Sequence, residues 1–307
     1  MPSILFVKTS SLGDVVHHCP AVSDAARRLP GVAIDWIVEE GFAGLAAMHA
    51  AVRRVIPVAI RRWRASAWRP AVWSEIGEFH RRVAAERYDT VIDTQSLLKS
   101  ALVARLAAGA RHGMDRASAR EPLAACFYGV THAVPRGLHA VERNRRLTAA
   151  ALGYAIDAPP DYGLRSPRDA QRSPRVVLLT MSSRTDKLWD EARWIELGRS
   201  LGAPLVLPWG SEAERTRAER IAALLPQASV PPRMALQELA ALFAGARAVI
   251  GVDTGLTHLA AALGVPTRGI YCGSDPALTG IYGAPQARNL GAPGRPPSVA
   301  EVLGSLP

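Results

Sequence analysis

The sequence predicts an α/β protein made of two doubly wound parallel-sheet domains. Three observations carry this: short β-branched runs alternate with Ala-rich helical stretches, the alternation restarts after residue 174, and a polar, Pro-rich segment separates the two series. In the first series ILFV (4–7) leads into AVSDAARRL, DWIV (35–38) into GFAGLAAMHAA, and TVIDT (90–94) into KSALVARLAAG. Runs this short and apolar suit strands covered on both faces, and the Ala-rich stretches suit the crossover helices that parallel strands need. The second series comprises RVVLLT, PLVLPWG, AVIGVD and TRGIYC, each followed by a helical or turn-rich stretch. Between them AIDAPPDYGLRSPRDAQRSP, residues 155–174, is poor in apolar residues and reads as a linker. The expected domains are 1–158 and 159–307, with a last helix free to pack back on the first. A chain of 307 residues agrees, because it is long for a single hydrophobic core.

Composition narrows the function. Apolar residues make up 49% and charged residues 21%, as in a globular protein. No apolar run approaches the eighteen residues of a membrane span, and the start lacks a signal-peptide pattern, so a cytoplasmic protein is expected. Cys19, Cys126 and Cys272 are odd in number and share no metal-ligand spacing, so they are expected to be reduced, buried small residues. Of the net charge of +10, residues 1–155 carry +8 (21 basic against 13 acidic) and 156–307 carry +2 (16 against 14). The first half is therefore expected to meet something anionic: nucleic acid, a phosphorylated small molecule or an acidic membrane surface. Only three of the 37 basic residues are lysines, Lys8, Lys99 and Lys187. Each is either a chance survivor on solvated surface or a compact ammonium placed for use.

In doubly wound sheets ligands bind outside the carboxyl ends of the strands, and two facing sheets would make the cleft between them the active site. After the first strand comes KTSSLGD, with Asp14 at a helix start. It is either a helix cap and nothing more or a carboxylate held at the sheet edge for chemistry. No G-x-G-x-x-G follows that strand and no P-loop occurs anywhere, which demotes hydride transfer and P-loop hydrolysis. GVDTGLTHLAAALGVP (251–266) sets Asp253, Thr254, Gly255, Thr257 and His258 where a helix's first N–H groups lack partners. That suits a diphosphate, although Asp-Thr-Gly also caps a helix unaided. TMSSRTDKLWDEARW (180–194) brings Ser182, Ser183 and Lys187 to another strand end, a composition fit for a phosphate clamp. In LPWGSEAERTRAER (207–220) Glu212 and Glu214 are ordinary dipole partners, or one of them accepts ribose hydroxyls.

AIRRWRASAWRP (59–70) packs four arginines and two tryptophans into twelve residues. Arg61, Arg62 and Arg64 could hold carboxylates or phosphates, and the tryptophans could meet sugar faces or a membrane interface; a solvated basic loop would look the same. DTQSLLKS (93–100) puts Gln95, Ser96 and Lys99 at a strand end, and the segments 112–124 and 139–147 add Arg120, Arg143 and Arg145. No histidine or cysteine spacing makes a closed zinc site and no DxD-type pair accompanies Asp14, so a metal-free transfer reaction is expected.

Together KTSSLGDVVHHCPA, DWIVEEGFA, RRVIPVAIRRWR, HGMD with AREPLA, HAVER and VDTGLTHLAAAL resemble, in order and over nearly the whole chain, the lipopolysaccharide heptosyltransferase I family of inner-core assembly in Gram-negative bacteria. The resemblance implies a GT-B fold of two facing Rossmann-like domains. It also implies inverting, metal-independent transfer of L-glycero-D-manno-heptose from ADP-heptose to a Kdo sugar of Kdo-lipid A. No cofactor and no nucleic acid take part, and the protein would work peripherally at the cytoplasmic face of the inner membrane. By the same resemblance Asp14 matches the proposed base, with Ser10, Ser11 and Gly13 shaping its turn. Lys187 matches a phosphate-contacting lysine, Glu214 the acid at the nucleotide ribose and Met234 the residue beside adenine, while Asp253, Thr254, Gly255 and His258 match diphosphate and heptose contacts. Arg61, Arg62, Arg64, Gln95 and Arg120 fall on the acceptor side, where a carboxylated sugar and phosphates need cations. The family commonly has a Thr pair where this chain has Ser182 and Ser183; the hydroxyls are kept. Alternatives are a related enzyme adding the second heptose, a GT-B-like nucleotide-sugar epimerase or hydrolase that would have no use for a basic first half, and, on charge alone, a nucleic-acid binder without a recognisable reader motif.

Overall fold

Each half of the chain builds one six-stranded, wholly parallel sheet. The computed structural model describes residues 2–165 and 173–306. The chain divides into two units, Met1–Gly163 and Leu164–Pro307. The first sheet runs through β1 (Ser3–Val7), β2 (Ala33–Glu39), β3 (Val52–Val58), β4 (Arg87–Asp93), β5 (Ala108–Met114) and β6 (Val130–His132), in the spatial order β3-β2-β1-β4-β5-β6. Its helices are α1 (Leu12–Arg28), α2 (Ala43–Ala47), α3 (Ile60–Ala65), α4 (Pro70–Ala84), α5 (Leu98–Arg105) and α6 (Ala140–Leu152). The second sheet has β7 (Val176–Leu179), β8 (Leu205–Val206), β9 (Ala228–Ser229), β10 (Ala248–Val252), β11 (Thr267–Tyr271) and β12 (Ala287–Gly291), in the order β12-β11-β10-β7-β8-β9. Its helices are α7 (Glu191–Leu201), α8 (Glu212–Ala222), α9 (Leu236–Ala244), α10 (Gly255–Ala262), α11 (Pro276–Thr279) and α12 (Val299–Gly304).

The two sheets share one winding rule. From its first strand the chain adds two strands on one side, then returns to place the fourth on the other side of the first. The connections therefore diverge above β1 and β4 in the first unit and above β7 and β10 in the second. Such a reversal opens a crevice at the carboxyl ends of those strands, where doubly wound sheets bind ligands. Burial follows the same logic: Ile4, Leu5, Phe6 and Val7 of β1, and Val249, Ile250 and Val252 of β10, lie covered on both faces.

In the second unit Trp189 and Trp194 meet edge to face at 5.0 Å in the core, the arrangement aromatic rings prefer. Trp189 Nε1 donates to the Pro297 carbonyl at 3.0 Å, tying the α7 approach to the last loop. Helix α12 packs on α7, and its Val299 and Val302 complete this core. The start of the expected linker packs on the first unit instead: Asp157 pairs with Arg27 and Arg28, Tyr162 is buried, and Ala50 N–H donates to the Gly163 carbonyl at 2.9 Å. Of the linker expected at 155–174, residues 166–172 lie outside the described residues. All three cysteines are free thiols, but the expectation that all are buried holds only at Cys19: Cys272 is half-buried, and Cys126 is exposed with Arg116 Nη2 at 3.0 Å from its sulfur. No helix among the described residues is long and apolar enough to cross a membrane.

Candidate functional site

The carboxyl ends of β1 and β4 converge on one polar turn. Asp93, the last residue of β4, is fully buried, and its carboxylate gathers four donors: Gln95 N–H at 2.8 Å, Ser96 N–H at 3.2 Å, Ser100 Oγ at 2.7 Å and Tyr128 OH at 2.7 Å. A buried carboxylate is tolerable only with its lone pairs filled in this way. The β4–α5 turn is fixed as a result, and Ser96 is held there at a φ of 56°. The turn directs Gln95 at the neighbouring one: Gln95 Oε1 accepts from Thr9 N–H at 3.1 Å and Ser10 N–H at 3.2 Å. Gln95 is 1% exposed, and its carbonyl oxygen holds the backbone that presents Asp14.

Asp14 stands in the first turn of α1, and its side chain remains 26% exposed. Ser11 N–H and Ser11 Oγ reach its Oδ2 at 2.9 and 3.0 Å, and Arg120 Nη1 lies 3.7 Å from the same oxygen. All three contacts use Oδ2, and Oδ1 takes none of them. Burial pushes the Asp14 carboxyl up, but the Lys8 charge, the Ser11 backbone bond and Arg120 together outweigh it and hold the group below the usual carboxylate range. The helix cap and the ionised carboxylate are thus one arrangement. Ser10 is tied in through Lys99, whose Nζ donates to its hydroxyl at 3.1 Å. Lys8 is only 4% exposed and donates to the Thr94 carbonyl at 3.0 Å and to Asn144 Oδ1 at 3.4 Å. Arg120 sits on a loop pinned beside this turn, because Glu121 N–H donates to the Ser96 carbonyl at 3.1 Å and Glu121 Oε2 accepts from Leu98 N–H at 2.6 Å.

The arginines of α3 separate. Arg62 is engaged by Glu40 through Nε at 3.0 Å and Nη2 at 3.1 Å, and by Glu75 at 2.8 Å, so it locks α3 to α4 and to the end of β2. Arg62, expected on the acceptor side, is thus paired with two carboxylates of its own unit. Arg61 lies over the Phe42 ring at 5.6 Å, and Arg64 is exposed.

In the second unit the ends of β7 and β10 meet in the same way. Asp253, just past β10, is 4% exposed and central. Lys187 Nζ lies 2.7 Å from Oδ2, His258 Nε2 3.2 Å from Oδ1, Ser274 Oγ bonds Oδ2, and Ser182 Oγ donates to the Asp253 carbonyl at 3.0 Å. Burial raises the Asp253 carboxyl, but His258, Lys187 and Ser274 overcome it and hold the group far below the ordinary range. Lys187 reaches this point from a 3-10 turn, Thr185–Lys187, between β7 and the buried Trp189. Thr254 is the N-cap of α10 and its side chain makes no capping bond, so the first-turn amides of Gly255 and Leu256 are not consumed by it. Thr257, by contrast, is fully buried and donates to the Val252 carbonyl at 2.7 Å, a structural task.

The outlying donor-side candidates are placed as follows. Glu214 Oε2 accepts from Gly210 N–H at 2.6 Å, which closes the β8–α8 turn. Ser183 is exposed, and Met234 is half-buried in the segment between β9 and α9. Lys99 stands at the strand end where DTQSLLKS is expected to put it, whereas the buried place of Lys8 had only the scarcity of lysine as a signal and Ser274 had none. Among the described residues no group of three or more His, Cys, Asp or Glu side chains is placed to hold a metal ion.

The profile of glycosyltransferase family 9 (heptosyltransferase) matches residues 76–300. The chain is 50% identical over 291 residues to lipopolysaccharide heptosyltransferase 1 of Pseudomonas aeruginosa, covering 92% of this chain and 82% of that protein. To its Salmonella typhimurium counterpart it is 48% identical over 294 residues, 92% of each. Among solved structures it is similar to E. coli heptosyltransferase WaaC with ADP, with a TM-score of 0.91, 44% identity and 98% of both chains covered. The same enzyme with ADP-2-deoxy-2-fluoro heptose gives 0.86, 43% identity, and 98% and 96% coverage.

Proposed function

Because the chain belongs to glycosyltransferase family 9, the heptosyltransferases, we propose that it transfers L-glycero-D-manno-heptose from ADP-heptose to a Kdo sugar of Kdo-lipid A in lipopolysaccharide inner-core synthesis. The observation that carries the chemistry is Asp14: an ionised, partly exposed carboxylate at the reversal point of the first sheet, with Oδ2 anchored and Oδ1 outside those contacts. In the reaction proposed, Asp14 Oδ1 takes the proton of the acceptor hydroxyl. The freed oxygen forms a bond to the anomeric carbon of the heptose as the bond to the ADP oxygen breaks on the opposite face, so the configuration inverts.

The departing diphosphate gains negative charge, and Lys187 with the first-turn amides of α10 would meet it. These groups supply the positive charge that the leaving group needs without a metal. Asp253 holds Lys187 in place for this task, and Ser182 and Ser183 line the same strand end. Glu214 and Met234 are assigned to the ribose and the adenine. Arg61, Arg64 and Arg120, with Lys99, are assigned to the carboxylate and phosphate groups of the acceptor. An acceptor borne on lipid A places the reaction at the cytoplasmic face of the inner membrane.

Asp14→Ala is expected to lower the transfer rate by about a hundredfold to ten-thousandfold, the range for loss of a general base, while ADP affinity measured by calorimetry stays near the wild-type value. Joint collapse of both would return Asp14 to a purely structural part. Product formed only on a heptosylated acceptor, and none on a Kdo-bearing one, would favour addition of the second heptose instead.

A further inference from the structure

We propose that α3, α4 and the turn between them form a docking surface for an anionic lipid bilayer. Trp68 and Trp73 are 74% and 64% exposed, the most exposed large apolar side chains among the described residues. Leaving two indoles in water is unfavourable unless something covers them. Neither ring is loose. Trp73 Nε1 donates to the Ala67 carbonyl at 3.0 Å, and the Arg69 guanidinium lies over the Trp68 ring at 5.8 Å. Trp63, in the same segment, behaves differently: it turns inward, bonds Glu75 at 2.9 Å and meets Phe79 edge to face at 5.7 Å. The outward placement is therefore confined to the two rings at the α3–α4 turn.

Charge identifies the occupant. Residues 60–84 hold six arginines and two glutamates. Glu75, and Glu40 from the end of β2, are engaged by Arg62, which leaves Glu78 as the remaining carboxylate of the segment beside exposed Arg61, Arg64 and Arg69. Indole rings seek the headgroup level of a bilayer, and arginines next to them draw anionic headgroups. A second copy of this chain would bring the same positive charge to the contact and be repelled.

Position agrees with this occupant. Helix α3 follows the carboxyl end of β3 directly, and Arg61 N–H donates to Glu39 Oε1, at the carboxyl end of β2, at 3.0 Å. The surface thus grows from the sheet edge that carries the Asp14 turn. Its benefit to catalysis rests on the proposed lipid-borne acceptor, which would arrive at that edge from the membrane.

The test uses the full chain and vesicles without any acceptor, of phosphatidylcholine alone or with phosphatidylglycerol, read by co-sedimentation. Wild-type protein should bind the anionic vesicles and leave the neutral ones in suspension. W68A/W73A should lower binding at least about tenfold, and R69E should weaken it and its salt dependence, with both variants unfolding at the wild-type temperature. Equal binding by W68A/W73A and wild type, or no binding by wild type, overturns the proposal. So does a wild-type dimer that the double substitution turns into a monomer. Trp73→Ala should transfer heptose to a water-soluble, acyl-free acceptor at the wild-type rate. If wild type itself fails on that acceptor, the heptosyltransferase reading falls while the vesicle comparison still decides this one.

Discussion

Lys8 is buried, and burial lowers its pKa from the ordinary 10.5 to about 8, against the pull of Asp14 in the other direction. A displacement of that size corresponds to about 3 kcal/mol of cost for keeping the ammonium charged inside the fold. Since the folded-state value is depressed, that cost is present below about pH 8 and is relieved as pH rises towards 10.5. The stability of wild-type protein relative to Lys8→Met should therefore climb across that window; a Tm difference that stays flat would remove the charge from the account. The same ammonium is the foremost opposite charge holding Asp14 ionised. In Lys8→Met the acid limb of the rate profile should accordingly move to higher pH, while ADP affinity stays unchanged. An unshifted limb would leave Ser11 and Arg120 as the groups that hold Asp14 down. The strand-end positions of Asp14, Lys187 and Asp253 were legible in the sequence because each follows a recognisable strand and opens a turn or helix. The partners of Gln95 and Arg62 were not, because those of Gln95 lie 85 or 86 residues away and those of Arg62 13 and 22. Nothing local to DTQSLLKS says that the Gln side chain will be spent on the backbone of another turn.

The Ala-rich helices and the central strands announced themselves through apolar runs, but β3, β5, β6, β9 and β12 did not. They lie away from the sheet centres, where one face or one edge is open and a continuous apolar run is not required. β3 is the clearest case: Arg53 and Arg54 interrupt VRRVIPV, yet both reach the buried Asp35 carboxylate, at 2.9 Å from each Nε. The β10–α10 junction shows the converse, a place where the residue type is fixed by space. A Cβ added at Gly251 would lie 2.2 Å from Thr257 Oγ1 and 2.8 Å from Leu179 Cβ. Gly251→Ala should destabilise the protein by about 1–3 kcal/mol, the usual cost of overpacking, and raise the KM for the donor as α10 shifts. Adding Thr257→Ala should restore only part of this, since the Leu179 contact remains. Full recovery of the denaturation midpoint by the double variant would show that the hydroxyl alone sets the limit.

At the scale of the whole chain, the sequence conveyed two doubly wound halves because the strand–helix alternation stops and restarts. The boundary between the units lies at 163/164, because the stretch through Tyr162 packs on the first unit despite its linker-like composition. All residues assigned to the donor lie in Leu164–Pro307, which has a complete sheet and core of its own. Expressed alone, residues 164–307 should fold and bind ADP without transferring heptose. A fragment with no ADP affinity would mean that the first unit contributes to the donor site.

The three lysines have a practical reach beyond the reaction. Two join the Asp14 turn and the third is paired with Asp253, so none is a solvated survivor of the chain's preference for arginine. Coupling the protein to a sensor surface or a dye through its amines would, apart from the chain terminus, tether it by groups already bonded within those two turns. On the proposed assignment of Lys99 and Lys187, such a preparation would look inactive for reasons unrelated to its fold. The exposed thiol of Cys126 offers a handle that leaves all three ammonium groups untouched.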